Sequence, residues 1–223
     1  MSLVSTSRPA DSVIRLSLDR REKKNALSIA LRDAISDALD RLRDDASVKV
    51  VVITGGEGIF SAGFDLGEFQ KCAEPEFAKT LWASSDRYHR TLLEFPLPTI
   101  AAVDGPALGG GFDTAVLCDL RVISSRARFG HPEAAFSDVV YTPLHDLVGG
   151  AIARDLCLTG RTIDAEEAVR LGLASRVVAP EDLDRVAIET ASLVARAPRD
   201  VLLRTKAKIV ARAGIAFRET LAL

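Results

Sequence analysis

The chain has 223 residues, of which 48% are hydrophobic and 27% charged, and its formal net charge is −2 at pH 7. This length and composition favour one globular domain, and the charge balance provides no basic surface for nucleic acid or an anionic membrane. The three cysteines show no metal-ligand or disulfide-framework spacing, so we expect no metal site. No signal-like start or membrane-length apolar run is found, and we therefore expect a cytoplasmic protein.

Strand and helix signals alternate along the chain. Buried-strand patterns occur at residues 12–18, 48–54, 98–105 and 120–124. Between the first two, Ser28 is a good N-cap for a helix, and the apolar residues after it recur at helical spacing along one face. This alternation predicts an α/β core.

The last part of the chain is predicted to be helical. Asp164 followed by Glu167 is typical of a helix N-terminus, and Gly172 is typical of that helix's end. Two further helical stretches follow Pro180. We therefore predict a core over residues 1–178 and a short helical region for oligomerisation or capping over residues 179–223.

Two glycine-bearing loops follow predicted strands, "GGEGIFSAGFDL" at residues 55–66 and "GPALGGGFDTAVLCDL" at residues 105–120. Each loop leads into a helix start, where backbone N–H groups are unpaired and the helix dipole is positive. Two such loops facing each other would supply the two N–H donors of an oxyanion hole. The alternative for either loop alone is a tight turn with no ligand. The glycine spacings of nucleotide-phosphate and dinucleotide loops are absent.

Five sequence blocks carry a resemblance to a known family. They are "REKKNALS", "GIFSAGFDL", "PTIAAVDGPALGGGFDTAVLCDLRV", "ARFGHPEA" and "LTGRTIDAEEAVRLGLASRVV". In this order and spacing, they resemble the crotonase, or enoyl-CoA hydratase/isomerase, superfamily over about residues 13–178. The resemblance implies an α/β fold built as a spiral of β-β-α turns with a helical C-terminal region. It also implies an acyl-CoA substrate, with coenzyme A as part of that substrate and no separate cofactor, and a homotrimer or a dimer of trimers.

The resemblance also implies roles for four residues of the two loops and the "FGHPE" block. The backbone N–H groups of Phe64 and Gly110 would hold the thioester oxygen as it gains enolate character. Asp113 and Glu133 match the positions of the two family glutamates. We expect Glu133 to be the principal acid/base, with Asp113, which is one methylene shorter, as an auxiliary. The alternative for Asp113 is an acid in the first turn of a helix that the helix dipole stabilises, and the alternative for Glu133 is an exposed acid in a loop.

The first and second blocks are similar to the coenzyme A-binding segments of the family. The residues that would contact the substrate or its coenzyme A are Lys24, Ala26, Leu27, Ala62, Gly63, Asp65 and Leu66. We expect Lys24 to meet one phosphate. The alternative for this segment is a solvated basic turn.

The segment after Glu133 departs from the family pattern, because it is shorter and lacks the usual glycines. Tyr141 and His145 are therefore possible parts of an altered pocket wall, or replacement acid/base groups, and the alternative for each is a structural or solvated role. We expect His131 to be a structural hydrogen-bonding residue. For His89 and Trp82, both the acyl pocket and the core or solvent remain open.

Three functions fit these patterns. The first is an enzyme of the hydratase/isomerase type that acts on enoyl-CoA. The second is another crotonase-type reaction, such as hydrolysis of a CoA thioester or a β-diketone. The third is a non-catalytic CoA-binding protein. We favour the first. The presence of Asp113 and Glu133 together with both glycine loops argues against the third, whereas the aspartate and the shortened segment after Glu133 argue against an ordinary hydratase.

Overall fold

The computed structural model describes residues 2–223. Its strands are β1 (Val4–Ala10), β2 (Val13–Leu18), β3 (Val50–Thr54), β4 (Thr99–Val103), β5 (Pro106–Leu108), β6 (Leu120–Ser124), β7 (Arg128–Gly130), β8 (Ile163–Asp164) and β9 (Arg176–Val178). Its α-helices are α1 (Ile29–Asp44), α2 (Leu66–Phe69), α3 (Pro75–Leu93), α4 (Gly110–Leu117), α5 (Thr142–Val148), α6 (Gly150–Thr159), α7 (Ala165–Arg170), α8 (Leu183–Ala195) and α9 (Arg199–Ala213).

The strands form a large and a small sheet. The large sheet has the order β1-β2-β3-β4-β6-β9, in which β1 and β2 are antiparallel and the other neighbours parallel. The small sheet has the order β5-β7-β8. The four predicted strands are β2, β3, β4 and β6. Strand β1 was not predicted, because its mostly exposed residues alternate without a clear apolar face.

The chain winds repeatedly from the large sheet to the small sheet. Strand β4 continues through Asp104 and Gly105 into β5, which leads into α4. Strand β6 likewise continues into β7, which leads into a 3₁₀ turn at Pro132–Ala135. The predicted spiral of β-β-α turns is confirmed. It brings the ends of successive small-sheet strands, and the helices that follow them, to one side of the molecule.

Alternating residues of the large sheet enter two separate cores. Val51 and Ile53 of β3 face the main core, which α1, α3 and α4 cover. Val50 and Val52 face a second core, which α8 covers. Successive side chains of a strand point to opposite faces of the sheet, which accounts for this division. Because both faces are covered, β3 is a continuous apolar run, which is why the sequence indicates a buried strand.

Local signals in the sequence fix the helix ends. The hydroxyl of Ser28 accepts a hydrogen bond from the backbone N–H of Leu31 at 3.2 Å, as predicted for an N-cap. The carboxylate of Asp164 accepts one from the N–H of Glu167 at 2.9 Å. Over residues 2–223, no helix combines the length and apolar character needed to cross a membrane. The role of residues 179–223 in oligomerisation stays a prediction.

Candidate active site

A cavity of about 230 Å³ opens where the two glycine-bearing loops meet. The predicted site residues that line it are Ala62, Gly63, Phe64, Leu66, Gly110, Asp113 and Glu133. The cavity therefore brings together both predicted N–H donors and both predicted carboxylates.

Hydrogen bonds between the two loops hold them in contact. The N–H groups of Phe60 and Ser61 both donate to the carbonyl of Pro106, at 3.0 and 3.1 Å, and the N–H of Leu108 donates back to Ser61 at 3.0 Å. Gly63 has a φ of +88°, and a Cβ there would lie 2.7 Å from the carbonyl oxygen of Leu108. Only glycine allows this approach, and the close approach is what sets the shape of the cavity wall.

The N–H groups of Phe64 and Gly110 are free to bind a ligand. Gly110 is the first residue of α4, so its N–H lies at the positive end of that helix. Neither N–H donates a hydrogen bond within the part of the chain that the structure describes. A Cβ on Gly63 would lie 3.4 Å from the nitrogen of Gly110, which places this nitrogen beside the residue preceding Phe64. Two unpaired donors thus lie close together on one cavity wall.

Asp113 lies on α4 between two histidines. Its Oδ2 is 3.7 Å from Nε2 of His89, which is on α3, and its Oδ1 is 3.7 Å from Nε2 of His131, which precedes the 3₁₀ turn. Both histidines are fully buried, whereas Asp113 reaches the cavity. The Asp113 carboxylate therefore contacts the two buried histidines on one side and the cavity on the other.

Glu133 is attached to the same group. Its Oε1 lies 3.0 Å from Nδ1 of His131, and its side chain is 21% exposed. The carboxylate packs against Gly109, where an added Cβ would lie 2.9 Å from Oε2. Gly109 has a φ of +51°, so a side chain at this position would be strained and would also displace Glu133. The glycine run of the second loop thus makes room for a carboxylate as well as for a ligand.

His131 forms a hydrogen bond, as expected of a structural histidine, and its partner is the predicted base Glu133. Burial lowers the pKa of His131, but the charge of Asp113 and the hydrogen bond and charge of Glu133 outweigh burial, so the pKa lies above its ordinary value. The signal that could have revealed this is the His-Pro-Glu spacing, which places an imidazole two residues before the predicted base. His89 carried no such signal, because only the packing of α3 on α4 brings it to Asp113.

Comparisons with known proteins agree with this geometry. A family model described as enoyl-CoA hydratase/isomerase matches residues 8–222. The chain belongs to the enoyl-CoA hydratase/isomerase family.

Two relatives and one solved structure illustrate this membership. The chain is 36% identical over 201 residues to the short-chain-enoyl-CoA hydratase of Clostridium acetobutylicum, covering 86% of this chain and 76% of the relative. It is 38% identical over 176 residues to the crotonyl-CoA hydratase of Syntrophomonas wolfei, covering 75% and 66%. The crystal structure of an enoyl-CoA hydratase from Bacillus anthracis superposes with a TM-score of 0.90 at 30% identity, covering 96% and 84%.

The segment predicted to bind coenzyme A in this family member lies beside the cavity. Lys24 is exposed with a φ of +53°, and its carbonyl accepts a hydrogen bond from the N–H of Ala62 at 3.0 Å. The N–H of Leu27 donates to Gly63 at 2.8 Å, and Ala26 is half-buried between these contacts. The backbone of this segment thus supports the first glycine loop.

Two other side chains fix the same region. The carboxylate of Asp65 caps α2 and forms a salt bridge of 2.7 Å with Arg20, so its oxygens are already engaged. The buried amide of Asn25 donates to the carbonyls of Gly55 and Phe60. In this enoyl-CoA hydratase/isomerase family member, Asp65 and Asn25 hold the loop in place.

One side of the cavity is aromatic. Phe69 and Trp82 line it, as do Phe136, Val139, Val140, Thr220 and Leu221. Trp82 therefore borders the pocket, which was one of the two options for it. The ring of Phe69 contacts both Trp82 and Phe136, with centroids 6.4 and 6.2 Å apart.

Tyr141 and His145, which the sequence suggests as possible wall residues, are not among the lining residues. Tyr141 precedes α5 and packs its half-buried ring on the main core, 5.6 Å from the ring of exposed His145. In the divergent segment after Glu133, it is residues 136–140 that line the cavity. Helix α5 begins immediately after Tyr141, whose ring packs on the main core and not on the cavity.

Proposed function

We propose that the protein hydrates 2-enoyl-CoA thioesters. The observation that carries this proposal is the presence of two unpaired backbone N–H groups and two carboxylates on one cavity. The names of the Clostridium and Syntrophomonas relatives, a short-chain-enoyl-CoA and a crotonyl-CoA hydratase, support the same reaction.

The two N–H groups provide the electrostatic part of the reaction. The thioester carbonyl oxygen accepts hydrogen bonds from the N–H groups of Phe64 and Gly110. When water adds to C3, negative charge moves to this oxygen, and the two donors together with the positive end of α4 stabilise it. These donors are held rigidly by the bonds between the loops, so they need no rearrangement as the charge develops.

The two carboxylates handle the protons. The oxygen of water forms a bond to C3 of the substrate, and one proton of the water ends on C2. Glu133, whose side chain is the more exposed of the two, exchanges the proton at C2. Asp113, which also lines the cavity, orients the attacking water. General acid–base groups of this kind contribute about 10²- to 10⁴-fold in rate.

Coenzyme A reaches the cavity along the segment that supports the first loop. Exposed Lys24 contacts a phosphate, while Ala26, Leu27, Ala62 and Gly63 form the backbone path toward Phe64. The acyl chain points toward Phe69, Trp82 and Phe136, whose apolar surface matches a hydrocarbon chain.

Isomerisation of 3-enoyl-CoA is the second candidate. It is favoured by the position of Asp113, which is almost fully buried and flanked by two histidines, whereas Glu133 has the more exposed side chain of the two carboxylates. An isomerase needs to move one proton from C2 to C4 and has no water to orient. One accessible carboxylate is sufficient for that task.

A substrate panel separates these functions. Purified protein is mixed with 2-enoyl-CoA and 3-enoyl-CoA esters of several chain lengths, and absorbance of the conjugated thioester is followed. Loss of absorbance with 2-enoyl esters supports hydration, and a gain with 3-enoyl esters supports isomerisation. A thiol reagent detects hydrolysis of the thioester in the same mixtures. If neither absorbance change occurs and no free thiol is released, the proposal of an enoyl-CoA enzyme is overturned. The Glu133→Gln variant is the control for contaminating activity.

Assembly as a homotrimer or dimer of trimers is also part of this proposal, as is a cytoplasmic location. Large apolar side chains at Leu158, Leu193 and Ile209 are 50–82% exposed, and a subunit interface would cover such surfaces. Light scattering after size-exclusion chromatography gives the mass of the assembly. A mass of one chain at micromolar concentration would contradict the trimer.

A further inference from the structure

Four ionisable side chains form a continuous row at the cavity wall, in which the two histidines are buried and the two carboxylates line the cavity. The order is His89, Asp113, His131 and Glu133, joined by distances of 3.7, 3.7 and 3.0 Å. The proposed reaction uses the two carboxylates and assigns nothing to the two histidines. Neither histidine lines the cavity, so their effect has to pass through the carboxylates.

The protonation of His89 follows from its contacts. Its Nδ1 lies 2.9 Å from the backbone carbonyl oxygen of Ser85, which can only accept a hydrogen bond. Nδ1 therefore carries a hydrogen and donates it. In a neutral ring, Nε2 would then be a bare acceptor, and this atom faces Oδ2 of Asp113.

Nε2 of His131 is in a similar position, next to the other carboxylate oxygen of Asp113. If its Nδ1 donates to Glu133, its Nε2 is bare in a neutral ring and faces Oδ1 of Asp113. Both Nε2 atoms are buried without a hydrogen-bond partner among residues 2–223. With two neutral rings and an ionised Asp113, electron-rich atoms would face one another with no water to separate them, which is unfavourable. One proton on Nε2 of His131 removes the conflict at Oδ1 of Asp113 and gives each carboxylate a cationic neighbour.

We propose that His131 is a positioning residue that carries a proton between Asp113 and Glu133, so that the two carboxylates form one coupled acid–base unit. His89 closes the row behind Asp113. The catalytic consequence rests on the proposed hydratase function, whereas the shared proton rests on the geometry alone. Through Nδ1, His131 engages Oε1 of Glu133 and leaves Oε2 for the substrate.

Other ionisable groups near the row do not replace this proton. They are Tyr88, Cys157, Asp86, Asp138 and Arg32. Burial raises the pKa of Tyr88, and burial raises that of Cys157 to about 11, so both are neutral. Asp86 is bonded to Thr220, which neighbours Nδ1 of His89, and Asp138 lies in the cavity wall.

Arg32 is the one cation in that set, and it is engaged elsewhere. Its guanidinium lies over the ring of Phe64 and donates to the carbonyls of Leu27 and Leu81. Within the described residues, the ion-pair partners of Asp113 are the two histidines. A positive charge beside Asp113 therefore comes from an imidazole.

Nuclear magnetic resonance of the histidine rings tests the shared proton directly. The chain has three histidines, and exposed His145 lies outside the row and serves as the internal reference. Ring ¹⁵N shifts of the full-length protein, without ligand, are followed from pH 5 to 9. We expect His131 to be protonated on both nitrogens at the acidic end, with a midpoint that falls by about 1 pH unit or more in Asp113→Asn and also in Glu133→Gln. A midpoint that neither variant moves would overturn the proposal.

Kinetics test the consequence. His131→Gln keeps a hydrogen-bonding side chain but cannot carry the proton. We expect kcat to fall about 10-fold or more with KM nearly unchanged, and the pH–rate profile to shift, because the apparent pKa values of coupled groups belong to the whole unit. An unchanged profile would contradict the coupled unit. If His131→Gln does not fold, the titrations in Asp113→Asn and Glu133→Gln decide alone.

The two proposals fail in different ways. If no enoyl-CoA turns over but both carboxylate variants shift the His131 midpoint, the shared proton stands and the hydratase function is wrong. If 2-enoyl-CoA turns over but the midpoint does not move, the hydratase function stands and the shared proton is wrong.

Discussion

The ring of Phe64 lies against the backbone of Gly110, at a distance that leaves no room for a side chain. A Cβ at Gly110 would lie 2.8 Å from Cδ1 and Cε1 of that ring. This contact is what brings the two unpaired N–H groups to one wall of the cavity. The three consecutive glycines at the start of α4 therefore have a definite physical reason. Gly110 makes room for Phe64, Gly109 makes room for Glu133, and Gly111 lies tight against Ser61.

Substitution of Gly110 by valine should remove most activity. The added side chain pushes Phe64 away, so at least one donor leaves its position, and loss of one such donor typically lowers kcat by about 10²- to 10³-fold. Turnover of 2-enoyl-CoA and thermal unfolding are measured together. Gly172→Ala is the control for a glycine substitution that crowds nothing, since no atom lies within 4 Å of its added Cβ. Its φ of +77°, unlike the helical backbone of Gly110, adds a backbone strain that the thermal unfolding reports. A folded Gly110→Val protein with near-normal kcat would place the hole elsewhere.

Asp113→Asn should affect hydration more than proton exchange. The amide keeps the size of the side chain but holds water less strongly and no longer pairs with the imidazole of His131. We expect kcat for hydration to fall by about 10²-fold, with a smaller loss in exchange of the α-proton of a saturated acyl-CoA. Equal losses in both assays would mean that Asp113 takes part in moving the α-proton itself.

The contribution of His131 to stability should depend on pH in one direction. Since its pKa in the folded protein is raised above 6.5, the stabilisation is fully present below about pH 6.5 and is lost as pH rises through the folded value. The difference in free energy of unfolding between wild type and His131→Gln should thus shrink between pH 6 and pH 9. Urea unfolding at several pH values measures it. A difference that grows with pH would show that the sign is wrong.

Coenzyme A thioesters should stabilise the fold. A ligand that binds only the folded state stabilises it by about 2.7 kcal/mol at 100 times its Kd. Acetyl-CoA and crotonyl-CoA should therefore raise Tm, and calorimetric titration should give matching heats. No change in either measurement at saturating concentrations would remove the assignment of coenzyme A.

Lys24 should contribute one phosphate contact to that binding. An exposed ion pair is weak, so Lys24→Ala is expected to raise Kd by only about 2- to 5-fold at low salt. Lys23→Ala is the matched control, because Lys23 is an equally exposed neighbour. Equal effects of both variants would indicate general attraction by the basic turn rather than a specific contact.

Many of the strands, helix ends and loops could be predicted from the sequence because their signals are local. The buried run "VVVIT" and the hydroxyl of Ser28 each depend on a few neighbouring residues, and the structure confirms both. The glycine loops could be placed for the same reason.

The contacts that join the two histidines to the two carboxylates could not be predicted in this way. His89 and Asp113 meet only because α3 packs on α4, and nothing near either residue in the chain encodes that contact. The aromatic wall is a similar case. Phe69 and Phe136 are far apart in sequence and meet through tertiary packing, so the sequence pattern indicates Tyr141 instead, which has the chemistry but not the position.

Exchange of the α-proton in heavy water tests the central claim most directly, because it requires both the oxyanion hole and the base but no added water. Wild-type protein is incubated with a saturated acyl-CoA in deuterium oxide, and deuterium at C2 is measured by mass spectrometry. We predict steady exchange by the wild type and a rate at least about 10²-fold lower in Glu133→Gln. Exchange at the wild-type rate in Glu133→Gln, with loss of exchange in Tyr141→Phe or His145→Ala instead, would contradict the account.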